Sequence, residues 1–422
     1  MRAQKFERSL LMATVAGPVL SFAAAPLLAE ALGRDGRGTL AAVMSAFLIF
    51  RYLSTLGGQE AALAAVHWTD MGVGGTTRAV TRWIGPSSVA FSAVAWIAAP
   101  LMFRLDSDAI TIFRGLLLVI PLAAISDGLR FALTADQRSR PVVAHILAPH
   151  VVRLVGAIAM VTFAIDSVAT GAWISVAGSI VGFTAVVAAS VPLSRGVTIE
   201  RSVERRFRRF AWDLAPGQAA RLGNRRLDQL LLGSVAGSGE LGLYAVAVAL
   251  AEVADLFTRT IRQLAIRSSN DPDGPDVEHY FRLGVVLLVP SIVLLALTIP
   301  LALSLLFPPS FGDALWPAEI LLLAGLANYI RDVLGVFLVT GDFARTESSL
   351  QIVTLAVAVA AVLLLGWQFG AIGASVATLL AYTTSAALVV SKYRGSRPEA
   401  RLHLLIPRRA DAKNARALVF AR

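Results

Sequence analysis

Residues 221–233 read RLGNRRLDQLLLG. Three arginines and an aspartate stand in a run that is otherwise rich in leucine, and whether this run crosses a membrane decides the fold. A charged side chain at the centre of a bilayer costs ~2.5–3.5 kcal/mol on insertion scales. The rest of the chain supplies the context. It is 56% hydrophobic and 16% charged, with a mean hydropathy of +0.69. A soluble chain carries about 25% charged residues. The apolar residues come in long runs, which are read as membrane helices. The N-terminus has a basic start followed by an apolar stretch longer than the core of a signal peptide, so it reads as an uncleaved first helix.

Twelve spans can be marked, at residues 9–32, 40–66, 84–103, 112–133, 142–165, 168–193, 210–235, 242–266, 281–307, 316–339, 350–366 and 371–390. Arginine placement tests the seventh, which holds the quoted stretch. With the N-terminus inside, the inner segments carry Arg2, Lys5, Arg8, Arg78, Arg82, Arg138, Arg140, the arginines of 195–209, Arg267, Arg345 and the tail from Lys392. The outer loops carry Arg34, Arg37, Arg104 and little else. Omitting the seventh span would reverse every later loop and break the positive-inside rule. The stretch therefore crosses, and the fold class is an all-α polytopic membrane protein with both termini cytoplasmic. The expected organisation is an N-terminal lobe at 1–193, a basic cytoplasmic linker at 194–209, a C-terminal lobe at 210–392 and a basic cytoplasmic tail at 393–422.

The net charge of +10 is mostly arginine. No basic segment accompanies a soluble domain, so nucleic acid is not an expected partner. The linker arginines are expected to meet anionic inner-leaflet lipids. The sequence has no cysteine, no Walker-type loop and no HExxH or other metal-ligand cluster. Neither a cofactor nor a metal is expected. The two halves carry a faint repeat. Gly38 and Arg51 recur as Gly242 and Asp255 at an offset of 204, and Asp127 recurs as Asp332 at 205.

On a helix, Gln218, Arg221, Arg225 and Asp228 share one face, as do Glu252, Asp255, Arg259 and Arg262. Intramembrane ionisable groups face a bundle interior or a water-filled cavity. Arg51 and Arg153 have no acid near them in sequence and are candidates for lining such a cavity. Glu252, Asp255, Arg259, Arg331 and Asp332 have partners within a turn, so internal pairing is an even alternative. Arg114, Arg130 and Arg262 lie near span ends and are expected to reach the interface. His145 and His150 read as packed or hydrogen-bonded. Gly17-Pro18, Pro121 and Pro216-Gly217 should kink their helices.

Two stretches resemble a known family. AEALGRDGRGTLAAVMSAFLIFRYLSTLGGQEAAL is similar to the first hairpin of bacterial lipid-linked oligosaccharide flippases. NRRLDQLLLGSVAGSGELGLYAVAVALAE is similar to their seventh-to-eighth hairpin. That family is the polysaccharide branch of the multidrug/oligosaccharidyl-lipid/polysaccharide exporter superfamily. The resemblance implies two six-helix lobes around a central cationic cavity that receives a polyprenyl-diphosphate-linked glycan. It implies flipping of an O-antigen (lipopolysaccharide), capsule or exopolysaccharide unit across the bacterial inner membrane by alternating access. On that reading Arg51, Arg153, Arg221 and Arg225 are the expected diphosphate ligands. Asp127, Asp228, Glu252 and Asp255 are the orienting or ion-coupling acids, Asp228 being set to orient Arg225. Coupling to H⁺ or Na⁺ is left open, and a glycan polymerase and glycosyltransferases are the expected partners. Burial favours the protonated form of a carboxylic acid and a nearby arginine opposes it, which makes Asp127 and Glu252 the preferred coupling acids. The alternatives are a multidrug or cation antiporter of the same fold, for which the surplus arginine is the wrong sign, and a membrane-embedded glycan-assembly enzyme. The enzyme reading is weakened by short outer loops, the longest spanning 308–315.

Overall fold

A computed structural model describes residues 2–104, 106–268, 277–340 and 344–396; the tail beyond 396 lies outside the described residues. All regular elements among them are helical. In chain order they are α1 (Arg2–Leu53), α2 (Gly58–Ala65), α3 (Gly72–Met102), α4 (Ser107–Leu117), α5 (Ile120–Ala135), α6 (Ser139–Thr162) and α7 (Val168–Ser194). There follow α8 (Arg201–Ala236), α9 (Ser238–Ser268), α10 (Val277–Leu306), a 3-10 turn (Pro309–Ala314), α11 (Leu315–Leu334), α12 (Val336–Thr340), α13 (Ala344–Ala361), a π turn (Val362–Gly366) and α14 (Trp367–Ser396).

Each of the twelve expected spans is found as helix. The first two are one helical stretch broken at Gly33, where φ is 65°, a region that glycine enters without a steric penalty. The second continues through a turn at 54–57 into α2. The fourth is α4 plus α5, bent by 49° just before Pro121. Pro121 sits in the first turn of α5, where its missing N–H costs nothing. Pro18 and Pro216 lie inside helices that continue past them. A length-and-hydropathy test alone passes seven helices, or eight with the bent pair. α8 and α9 are left out because their charges lower the score.

The chain divides into two compact units, Met1–Gly242 and Leu243–Arg422. The first therefore includes α8, which sequence reading assigns to the second lobe. The helix is fastened along the second span at every level. Near its start, the Gly57 turn meets the backbone of Ala211 so closely that a Cβ there would overlap the Ala211 carbonyl oxygen. Further along, the Tyr52 hydroxyl lies 3.2 Å from Gln218 Oε1. Ser45 donates to Gln229 Oε1 at 2.7 Å in a buried bond. At the far end Gly38 lies against Ser238 and Gly242 with no room for a side chain on either glycine. Paired positions fall on one partner and rise on the other, so the two segments run antiparallel.

Within the 194–209 segment helix begins at Arg201, and 195–200 form the connection. Val203, Phe207 and Ala211 recur at helical spacing and pack on the core below α2 and α3, while Arg201, Arg205, Arg206, Arg208 and Arg209 are exposed. That amphipathic pattern extends the span by two turns beyond its apolar part.

Candidate functional site

The core of the first unit is two apolar clusters with a polar layer between them. One cluster is built around Phe47, Phe113, Leu116, Ala123 and Val176. The other is built around Ala61, Val80, Ile84, Leu129 and Val186. Arg51 near the end of α1, Asp127 of α5 and Ser179 of α7 lie near where the two clusters meet.

Arg51 Nε and Nη2 donate to the two oxygens of Asp127, each at 2.8 Å, and Nη1 reaches Ser179 Oγ at 3.4 Å. This is a two-point fork between a guanidinium and a carboxylate, the strongest geometry for such a pair. The side chains are 15% and 13% exposed. His145 of α6 completes the layer: its Nε2 lies 3.2 Å from Asp127 Oδ1 and its Nδ1 2.9 Å from Ser126 Oγ. A carboxylate only accepts, so Nε2 carries the proton in the neutral ring. Nδ1 then accepts from the Ser126 hydroxyl. Gly182 of α7 makes room for this imidazole. His145 is thus hydrogen-bonded, as its sequence context suggests.

Beside this layer, toward α2, lies a second group. Tyr52 donates to Glu60 Oε1 at 2.8 Å as well as facing Gln218. Arg221 and Arg130 both act electrostatically on Glu60. The Arg221 Nε and the second Glu60 oxygen, Oε2, are each buried without a hydrogen-bond partner. Arg130 corrects the sequence reading. It does not reach out to an interface; it lies against the Phe131 ring at 4.4 Å and within the field of Asp127, Arg51 and Glu60. The layer and this group together hold Arg51, Arg130 and Arg221 against Asp127 and Glu60, an excess of one positive charge.

The other expected residues are placed as follows. Arg225 is exposed, so the quoted stretch splits: Gln218 and Arg221 turn to the second span and Arg225 turns away from it. Asp228 Oδ1 accepts the backbone N–H of Gln229 at 2.8 Å. Arg153 is half-buried on α6, beside Arg37 of α1. Glu252 and Asp255 are half-buried on α9; Asp255 pairs with Arg259 at 3.8 Å and faces the Asn328 amide at 3.5 Å. Asp127 carries the arginine that sequence spacing hides, and so meets the condition that disfavours proton loading. The reason is topological: Arg51 and Asp127 are 76 residues apart, beyond any local pattern. Glu60, Tyr52, Arg130 and Arg37 are the site residues that sequence reading misses. The only signal for Glu60 is an acid inside a span whose one other charge is Arg51.

A family model described as polysaccharide biosynthesis protein matches residues 8–267. The chain belongs to the polysaccharide biosynthesis protein family. The matched segment contains the whole arginine cluster and the α8–α9 hairpin, and the resemblance drawn from the two hairpin motifs is upheld. No curated protein matches in sequence. Solved structures do match in fold. A lipid II flippase MurJ in an inward closed conformation has a TM-score of 0.74 at 14% identity, covering 98% of this chain and 91% of that one. An inward-facing multidrug resistance MATE transporter of the MOP superfamily has a TM-score of 0.71 at 11% identity, covering 92% and 98%. A MOP superfamily transporter from Pyrococcus furiosus, whose binding pocket is described as having reverse polarity, has a TM-score of 0.62 at 12% identity, covering 94% and 97%. This member of the polysaccharide biosynthesis protein family is therefore a multi-pass helical membrane protein with the fold of MOP-superfamily transporters.

Proposed function

We propose that the protein flips a polyprenyl-diphosphate-linked oligosaccharide from the inner to the outer leaflet of the bacterial inner membrane, with its N-terminus inside. The observation that carries this reading is the excess of buried guanidinium groups around Arg221, in a chain of this family. Arginine keeps its charge out of water and its planar fork fits phosphate oxygens. The fork of Arg51 is already engaged by Asp127, so Arg51 positions the layer and supplies charge, while Arg221, whose Nε lacks a protein acceptor, is the direct ligand. Arg225 is exposed on the same helix and suits first capture of the headgroup. An exporter of small cations needs acids in excess, the reverse of this cluster.

The coupling role remains with Glu252 among the acids the sequence singles out, since Asp127 is held by Arg51, and either H⁺ or Na⁺ is compatible with a carboxylate. Glycosyltransferases and a polymerase are the partners this activity requires before and after it. The test is leaflet transfer of a fluorescent polyprenyl-diphosphate glycan in proteoliposomes. Arg221→Ala and Arg221→Lys should both slow transfer by about tenfold or more, one charge-assisted hydrogen bond being worth ~1.5–3 kcal/mol. Transfer at the wild-type rate in Arg221→Ala would remove the ligand role. The orientation is tested on this naturally cysteine-free chain with Ser202→Cys, which should resist a membrane-impermeant thiol reagent applied outside intact cells.

A further inference from the structure

The start of α8 carries more arginine than the acids around it answer. Arg205, Arg206, Arg209 and Asp213 follow one another at steps of one, three and four, which sets them on one helix face. With Phe210, and with Trp68 from the turn between α2 and α3, they line a cavity of about 590 Å³. Ligand sites run from roughly 300 to 1,000 Å³. The Arg206 guanidinium lies 4.3 Å from the centre of the Trp68 ring, and Phe210 meets that ring edge-on at 5.8 Å. The neighbouring acids are engaged elsewhere: Glu204 pairs with Arg82 at 3.1 Å, and Glu200 accepts from the Ser202 hydroxyl at 2.9 Å. Among the described residues no carboxylate forms an ion pair with Arg205, Arg206 or Arg209. Three cations against the one anion, Asp213, leave the lining with an excess of two positive charges. Arg201 and Arg208 are exposed on the same segment but do not line the cavity; Arg208 faces the Trp83 ring at 5.4 Å instead.

We infer that this cavity binds a resident phospholipid with two phosphates on one headgroup, the diphosphatidylglycerol class. Only the choice of the inner leaflet rests on the orientation proposed above. Two phosphates answer the excess of two charges, and guanidinium groups hold phosphate oxygens by paired hydrogen bonds. The glycerol that joins the phosphates carries one hydroxyl, for which Asp213 is the acceptor. The level in the membrane also fits. Phe210 and Trp212 are exposed where the apolar part of the span begins, and aromatic rings gather at the membrane–water interface. Basic pockets at the cytoplasmic ends of membrane helices suit such headgroups. The Trp68 ring is taken by Arg206 rather than left for a stacked base, which favours a lipid phosphate over a nucleotide. Diffuse attraction to an anionic surface would use all five exposed arginines of 201–209, whereas the cavity singles out three. Arg209 and Arg221 are twelve residues apart on α8, about 18 Å at 1.5 Å per residue, so this site is separate from the Arg221 cluster. A headgroup here ties the start of α8 to the turn between α2 and α3, and so steadies the helix that carries Arg221.

The experiment is native mass spectrometry of the full chain in detergent, titrated with diphosphatidylglycerol, phosphatidylglycerol or phosphatidylcholine. The first diphosphatidylglycerol should bind wild type about tenfold tighter than phosphatidylglycerol, and phosphatidylcholine should bind more weakly than either. Arg205→Gln/Arg209→Gln should weaken diphosphatidylglycerol by about tenfold or more. Arg201→Gln/Arg208→Gln removes the same charge outside the cavity and should change binding by less than about twofold. All four arginines are exposed, so both variants should keep the wild-type unfolding temperature in the absence of lipid. Equal weakening by the two pairs would reduce the site to diffuse attraction and overturn it, as would unchanged binding in Arg205→Gln/Arg209→Gln. Displacement of the lipid by equimolar inorganic pyrophosphate would assign the cavity to a free phosphate and overturn the lipid. Weakening in Arg221→Gln alone would place the lipid at the Arg221 cluster and overturn the separate site. Each of these outcomes leaves the flippase reading to its own assay of leaflet transfer.

Discussion

The two units hold their buried charges differently. In the first, Arg51 of α1 and Asp127 of α5 meet across 76 residues, with His145 of α6 and Ser179 of α7 on the same layer. In the second, Arg331 bonds to its neighbour Asp332 at 2.5 Å and Asp255 pairs with Arg259 one turn along. The Arg331 guanidinium also lies 5.5 Å from the centre of the Tyr382 ring, and the Asn328 amide faces Asp255. A pair that joins helices fixes their register. A pair within one helix neutralises charge and leaves its neighbours free to move. The first unit is thus clamped at its polar layer by a pair that joins two helices.

This contrast orders the expected effects. The largest is at the clamp. Arg51→Ala or Asp127→Ala should each destabilise the protein in detergent by about 3–5 kcal/mol, because each leaves a buried partner charge uncompensated. The double Leu variant should cost much less than the sum. Thermal unfolding followed by tryptophan fluorescence measures this, and additive losses would show that the pair is not a unit.

Next comes the backbone contact between Gly38 and 238–242. Gly38→Val has no space to enter and should separate the segments at a cost of about 1–3 kcal/mol. A Asp35→Cys/Ser238→Cys pair replaces the 2.9 Å contact between those side chains. It should cross-link readily in the parent and poorly with Gly38→Val; equal cross-linking would contradict the contact. A smaller effect is expected at mid-helix. Gln229→Leu strands the buried Ser45 hydroxyl and should cost about 1–2 kcal/mol by the same unfolding measurement. The smallest is in the second unit, where a double-mutant cycle on Asp255 and Arg259 should return only ~0.3–0.5 kcal/mol, as exposed i,i+4 pairs do.

Much of the fold is legible in the sequence because it is written locally. Apolar runs and arginine asymmetry place the twelve helices and the crossing of 221–233, and Gly33 and Pro121 mark breaks by their own stereochemistry. The assignment of α8 to the first unit is not legible. It depends on glycines and small polar groups, such as Gly57, Ser45 and Gly38, whose close contacts join segments far apart in sequence. The site divides in the same way. Arg51, Asp127 and Arg221 stand out as charges at membrane depth. That Arg51 is engaged by Asp127, and that Arg37 meets no hydrogen-bond partner among the described residues, follows only from the packing of α1 against α5 and α6. Arg37 also escapes notice because it sits beside a glycine break and reads as a loop residue.

The central claim is that arginines held out of water in the first unit recognise a diphosphate on a lipid. It is tested most directly by leaflet transfer in proteoliposomes with two matched cargoes. These are a polyprenyl-diphosphate-linked oligosaccharide and the same oligosaccharide on an uncharged polyprenyl ether. Wild type should move the diphosphate and leave the ether behind, and Arg221→Gln should slow the diphosphate toward the rate of the ether. Equal transfer of both cargoes, or a rate untouched by Arg221→Gln, would contradict it.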